Sequence, residues 1–70
     1  MSQTSMILQH LEENGSITAL EAGERYGCLR LAARIADLRA MGYEIEREME
    51  TGVNRFEKPV RYARYRLGGN

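Results

Sequence analysis

The sequence predicts an α+β domain in the order α-β-α-α-β-β, three helices followed by a C-terminal β-hairpin. Three observations predict it. Apolar residues recur at helical spacing in two stretches, Met6 to Leu11 and Leu31 to Leu38. Glycines stand just past three runs, at Gly15, Gly27 and Gly42, where a left-handed residue ends a helix. After Gly42 the period changes from helical to alternating and holds to Leu67.

The elements follow in order. Thr4 to Asn14 reads as the first helix, with Met6, Ile7, His10 and Leu11 on one face and Gly15 as its stop. Ser16-Ile17-Thr18 has room only for a small strand or a turn. Thr18 and Glu21 have the S/T-x-x-E spacing in which hydroxyl and carboxylate each satisfy an orphan amide. The second helix therefore runs from Ala19 to Tyr26, offering Leu20, Ala22 or Gly23, and Tyr26 for packing. Glu21 and Arg25, at i,i+4, form an ion pair on its exposed side in this reading. The third helix spans 29–41, with Leu31, Ile35 and Leu38 on its inner face, Cys28 near its edge and Gly42 as its C-cap.

Beyond Gly42, Tyr43, Ile45 and Met49 share one parity and Glu44, Glu46, Glu48 and Glu50 the other. Thr51 to Asn54 is turn-forming, and Pro59 bars a central ladder position. Val60 to Leu67 is the second strand, with Ala63, Tyr65 and Leu67 on one side and Tyr62, Arg64 and Arg66 on the other. About ten residues join the two strands in this reading, and Arg64 and Arg66 pair across them with Glu44, Glu46 or Glu48. Tyr26, Tyr43 and Tyr65 are expected in or at the edge of the core, and Cys28 as a small core residue. Residues 68–70 are expected to fray.

Seventy residues make one domain, 1–70, with an ordered core of about 4–67. A chain of this length buries only about 60% of its extended surface, so any dimer contact would add noticeably to its stability. Hydrophobic residues at 43% and charged residues at 29% exclude a disordered chain. No apolar run approaches a membrane span, and the N-terminus lacks the pattern of a signal peptide, so an intracellular protein is expected. One cysteine cannot form an internal disulfide, and Cys28 with His10 cannot fill a tetrahedral metal site. No metal, cofactor or catalytic constellation is expected: no paired carboxylates, phosphate loop or activated nucleophile is visible. The chain is read as a non-enzyme.

Net charge is zero, yet it is unevenly distributed: 1–27 carries −3 and 28–70 carries +3. Such a chain can present a basic face while staying neutral.

Two helices meeting across a tight glycine turn are the organisation of a helix-turn-helix. With the hairpin, the element order is that of a winged helix-turn-helix. The residues go further. "ILQHLEENGSITALEA", "YGCLRLAARIADLRAMGYEIE" and "NRFEKPVRYARYRL" resemble the short phage and prophage helix-turn-helix domains of bacteria, over roughly Thr4 to Leu67. LAARIADLRAMGY is the most specific part. The resemblance implies a winged-helix fold, DNA binding and a bacterial cytoplasm.

A helix-turn-helix sets its second helix in the major groove, with the N-terminal residues of that helix at the base edges. Leu29, Arg30, Ala33 and Arg34 occupy that place. Alanine lets the helix approach the groove floor, and arginine can bond bidentately to guanine. The plainer reading is that Arg34 and Asp37 are a surface pair and that the alanines merely favour helix. Asp37 would repel phosphate unless paired. The wing, 51–61, offers Asn54, Arg55, Lys58 and Arg61 to phosphates or to a minor groove.

The function expected is thus that of a small phage- or prophage-type transcriptional regulator on double-stranded DNA, as a monomer or a homodimer. The alternative is a winged-helix module that binds a protein partner in a phage or host complex and not DNA.

Overall fold

The computed structural model describes residues 2–68; Met1, Gly69 and Asn70 lie outside them, including most of the expected frayed end. The order is α1 (Gln3–Asn14), β1 (Ser16–Thr18), α2 (Ala19–Tyr26), α3 (Leu31–Ala40), β2 (Ile45–Val53) and β3 (Pro59–Leu67). This is the expected α-β-α-α-β-β order. Helix α1 starts one residue before the expected Thr4 because Ser2 caps it, accepting the amide of Ser5 at 3.1 Å. Gly15, at φ 87°, ends it.

The three strands form one antiparallel sheet in the order β1-β3-β2. β3 is central, pairing Ile17 with Tyr65 on one side and Ile45 with Leu67 on the other. The short strand therefore widens the hairpin into a sheet. Cross-strand partners share a face. One face carries Ile17, Ile45 and Tyr65 into a core completed by Ile7 and Leu11 of α1, Ala22 of α2, and Leu31, Ile35 and Leu38 of α3. Cys28 is buried there too, as expected. His10 is also buried and meets the Tyr26 hydroxyl at 2.7 Å through Nδ1, its ring edge-on to the tyrosine. That bond satisfies a polar ring inside an apolar core and ties α1 to α2.

The opposite face is ionic. Arg64 Nε donates to Glu50 at 2.9 Å, and Arg66 lies 3.5 Å from Glu48 and 3.7 Å from Glu50. Arg66 thus finds one of its expected partners. Arg64 instead takes Glu50, diagonal to its register partner Glu48. The hydrogen bond from Arg64 holds the Glu50 carboxyl below its ordinary value, with further lowering from Tyr62 and Arg66.

Several expectations are corrected. Leu20 does not pack: it is 71% exposed, because Ala22 faces the core and a residue two positions away lies on the other side of α2. Glu21 does not pair with Arg25. Its carboxylate accepts the Thr18 amide at 2.9 Å, completing the capping box, and lies 3.9 Å from Arg64. Tyr43 is exposed, in the link between α3 and β2.

Thr51 to Asn54 is not the turn either, since β2 continues to Val53 and only five residues, 54–58, join the strands. A Cβ at Gly52 would stand 3.3 Å from the Tyr62 ring, so this glycine makes room within a strand and does not turn the chain. Pro59 opens β3 opposite Val53, the strand position where a missing N–H is best tolerated.

No residue of 46–64 is buried. From Tyr65 to Pro59 the hairpin extends roughly 20 Å from the last buried residue of β3, passing the start of α2 on its way. The radius of gyration, 12.3 Å, exceeds the roughly 11 Å expected of a compact chain this long, as a projecting wing requires.

Candidate nucleic-acid interface

Helices α2 and α3 meet across four residues, Gly27 to Arg30. Gly27 adopts φ 64° and donates to Gly23 O at 3.0 Å, while Cys28 donates to Ala22 O at 3.1 Å and buries its side chain. Those bonds close the end of α2, and the chain is next helical at Leu31. The third helix therefore spans Leu31–Ala40, not 29–41. Arg30, at φ −126° and ψ 61°, is its N-cap, and no side chain caps it. At the other end Met41 is the C-cap, with Gly42 one residue beyond at φ 104°.

This shift moves Leu29 and Arg30 from the first turn of the helix to its threshold. Both are exposed, Leu29 at 90%. An uncapped helix start leaves orphan amides beside Arg30, a local field that suits an anion.

Leu31, Ile35 and Leu38 are buried, and Ala32, Ala36 and Ala40 are exposed. Ala33 and Arg34 are half-buried. Arg34 is not free: its Nε sits 3.2 Å from Asp37 Oδ2, although the N–H is not aligned for a hydrogen bond. Asp37 also accepts from Thr4 Oγ1 at 3.5 Å. The plainer expectation for this arginine, a pair with Asp37, is the arrangement found. Arg39 turns the other way, donating from Nε and Nη2 to the Ile45 carbonyl at 3.2 and 2.8 Å. It fixes the base of the wing to α3 and covers one carbonyl at the open edge of β2. Nothing in its spacing announced that role.

The wing tip is built by Asn54. Its Oδ1 accepts the amides of Phe56 at 2.9 Å and Lys58 at 3.1 Å, its own amide donates to Lys58 O, and its carbonyl accepts from Glu57. The Asn54 carbonyl oxygens are thus occupied within the loop. Arg55, Lys58 and Arg61 are exposed, and the Arg55 guanidinium lies 5.1 Å above the Phe56 ring. Phe56 is 68% exposed, and sequence reasoning passed over it. An asparagine two residues ahead of an aromatic was the available signal.

The eight expected site residues therefore form two patches, Leu29 to Arg34 at the start of α3 and Asn54 to Arg61 on the wing. Among the described residues no hydrogen bond or ion pair joins them. Nor does any salt bridge among those residues engage Arg30, Arg55, Lys58 or Arg61, whereas Arg34, Arg64 and Arg66 are all paired. A separate groove of about 530 Å³ lies between the start of α2 and the hairpin, with Leu20, Val53, Val60 and Tyr62 in its lining.

The winged helix-turn-helix domain family matches residues 2–70, and the chain belongs to that family. No curated protein matches it. No helix among the described residues is long and apolar enough to cross a membrane.

Proposed function

From that membership, we propose that this protein binds double-stranded DNA as a small phage- or prophage-type transcriptional regulator in a bacterial cytoplasm, with no cofactor and no catalytic step. Leu29, Arg30 and the exposed start of α3 enter the major groove, with Ala33 and Arg34 at their flank. Arg55, Lys58 and Arg61 lie along phosphates or the minor groove edge, on a tip shaped by Asn54. The observation that carries this reading is the distribution of unpaired cations. Arg30 stands ahead of α3 and Arg55, Lys58 and Arg61 on the wing, the two places where a winged helix-turn-helix meets a duplex. Arg64 and Arg66 of the sheet are neutralised by Glu48 and Glu50; Arg25 on α2 and Arg47 on β2 also lie outside any salt bridge among the described residues.

Fluorescence anisotropy with labelled random duplex tests it. Three or four phosphate contacts give a log–log salt slope of about −3 to −4. Arg55→Ala with Lys58→Ala weakens binding to random duplex and to a selected site alike, whereas Arg30→Ala weakens the selected site more. Absence of binding at low salt, or binding insensitive to salt, overturns the reading. In that event the groove with exposed Leu20, Val53 and Val60 favours the alternative, a protein partner held by apolar contact.

A further inference from the structure

We propose that the wing is a wedge: Phe56 enters a base step from the minor groove, unstacks it and kinks the duplex. This rests on the DNA-binding reading and adds a deformation to it.

Phe56 is the chain's one phenylalanine, and it is left outside the core at 68% exposure. It sits on the five-residue connection at the far end of a hairpin that has no buried residue between Ile45 and Tyr65. The ring joins no part of the core, and the aromatic or cationic contact it has is with its neighbour Arg55, 5.1 Å above it. A hairpin needing only to turn would place asparagine-glycine or a similar pair at its tip. This tip is built otherwise. Four hydrogen bonds centred on Asn54 fix it, one of them to the amide of Phe56 itself. Glu57 is forced to φ 61°, a left-handed conformation that costs a residue with a side chain on the order of 1–2 kcal/mol. The ring is thus carried on a preorganised mount, which lowers the entropic cost of inserting it.

The surroundings suit the same act. Arg55 and Lys58 stand within two residues of the ring and Arg61 follows on the strand, all unpaired, with Glu57 the single acid of the tip. Cations flanking an apolar wedge neutralise the two phosphate rails while the ring enters between them. Width decides how much of the wing can follow. A minor groove is about 6 Å wide, too narrow for a two-stranded ribbon whose backbones alone are nearly 5 Å apart. Only the tip fits, and its one large apolar side chain is Phe56. Wedges of this type unstack one step and bend DNA by about 20–90°, most readily at pyrimidine–purine steps.

The test uses an alternating thymine–adenine duplex, so that every register offers such a step, with 2-aminopurine at several adenines and a donor–acceptor pair at the ends. Wild-type protein raises the 2-aminopurine emission and shortens the end-to-end distance as it binds. Phe56→Ala binds on the order of ten-fold more weakly and loses both signals, with the salt slope unchanged because no phosphate contact is lost. Phe56→Leu keeps an apolar wedge and keeps both signals. Circular dichroism of the alanine variant matches wild type, since nothing in the core rests on this ring. Wild-type binding with normal salt dependence but unchanged emission and length overturns the wedge and leaves the DNA reading standing. So does an alanine variant that bends the duplex as wild type does. No binding to any duplex at low salt overturns both readings and points to a protein partner for the exposed ring.

Discussion

Asp37→Ala should tighten DNA binding. The aspartate lies on α3 beside its exposed alanines, holding Arg34 at 3.2 Å, with the two side chains 51% and 32% exposed. A pair this open contributes only a few tenths of a kcal/mol to folding, so removing it leaves the domain folded. Its effect on a duplex is larger. A carboxylate about 7 Å from a phosphate is repelled by roughly 0.6 kcal/mol in water and about 2.4 kcal/mol at an effective dielectric of 20. Its loss should therefore tighten binding by about three-fold to a few tens-fold. Arg34, released, can reach a phosphate of its own, steepening the log–log salt slope by about 0.9. The assay is an anisotropy titration on random duplex at four salt concentrations, for wild type, Asp37→Ala, Arg34→Ala and the double variant. Arg34→Ala alone should weaken binding, because it leaves the acid uncompensated, and the double variant should return close to wild type. If Asp37→Ala leaves both affinity and slope at wild-type values, this side of α3 does not face the duplex and the placement of the helix in the groove is wrong.

Three further outcomes concern the scaffold. Tyr26→Phe strands a buried His10 nitrogen and should cost about 1–3 kcal/mol, lowering the thermal midpoint by 4 °C or more on the scale of roughly 4–8 °C per kcal/mol; an unchanged midpoint would show the bond to be idle. Glu57→Gly relieves the left-handed strain at the tip and, after the entropy cost of glycine, should stabilise the fold by about 0.5–1 kcal/mol, read as a midpoint raised by a few degrees. Glu50, its folded pKa held below the ordinary 4.5 by Arg64, contributes stability that is complete above 4.5 and is lost as pH falls through the lower folded value. Denaturant midpoints measured from about pH 6 to about pH 3 should fall less steeply in Glu50→Gln than in wild type.

What was legible in the sequence was whatever local chemistry decides. The capping box at Thr18 and Glu21, the glycine stops at Gly15 and Gly27, and the 3.6-residue period of Leu31, Ile35 and Leu38 each depend on neighbours a few positions away, and each stands as read. The errors arose where a distant partner decided. Gly52 resembled a turn because the ring of Tyr62, ten residues later, leaves no mark on the local sequence. Glu21 resembled a helix-surface partner for Arg25 because its demand from the Thr18 amide and its approach to Arg64 are set by the cap and the sheet. The start of α3 slipped by two residues because burial of Cys28 holds the turn open, and a lone cysteine advertises no such anchor. For the candidate interface the same division holds. Exposure of Arg30, Arg55, Lys58 and Arg61 follows from loops and element ends, whereas the opposed fates of Arg34 and Arg39 depend on Asp37 and Ile45.

A chain of zero net charge is an unpromising ligand for a polyanion, and the arrangement of its ion pairs removes the difficulty. Arg64 and Arg66 are interleaved with Glu48 and Glu50 on the outer face of the sheet, where alternating charge cancels over distances shorter than a Debye length of about 8–10 Å. A duplex some distance away experiences little from that face. The wing tip has no such cancellation, because Arg55 and Lys58 share the 54–58 connection with one acid, Glu57, and Arg61 follows on the strand. Arg55 and Lys58 lie five or more residues along the strands from Glu50 and Arg64, roughly 15 Å and beyond a screening length, so at the tip the local sign governs and the net does not. The same reasoning fixes how the balance can be altered. A charge change on the sheet, such as Glu46→Gln, should leave duplex affinity close to wild type, while the same change at Glu57 should raise it, although both add one unit to the net charge of the chain.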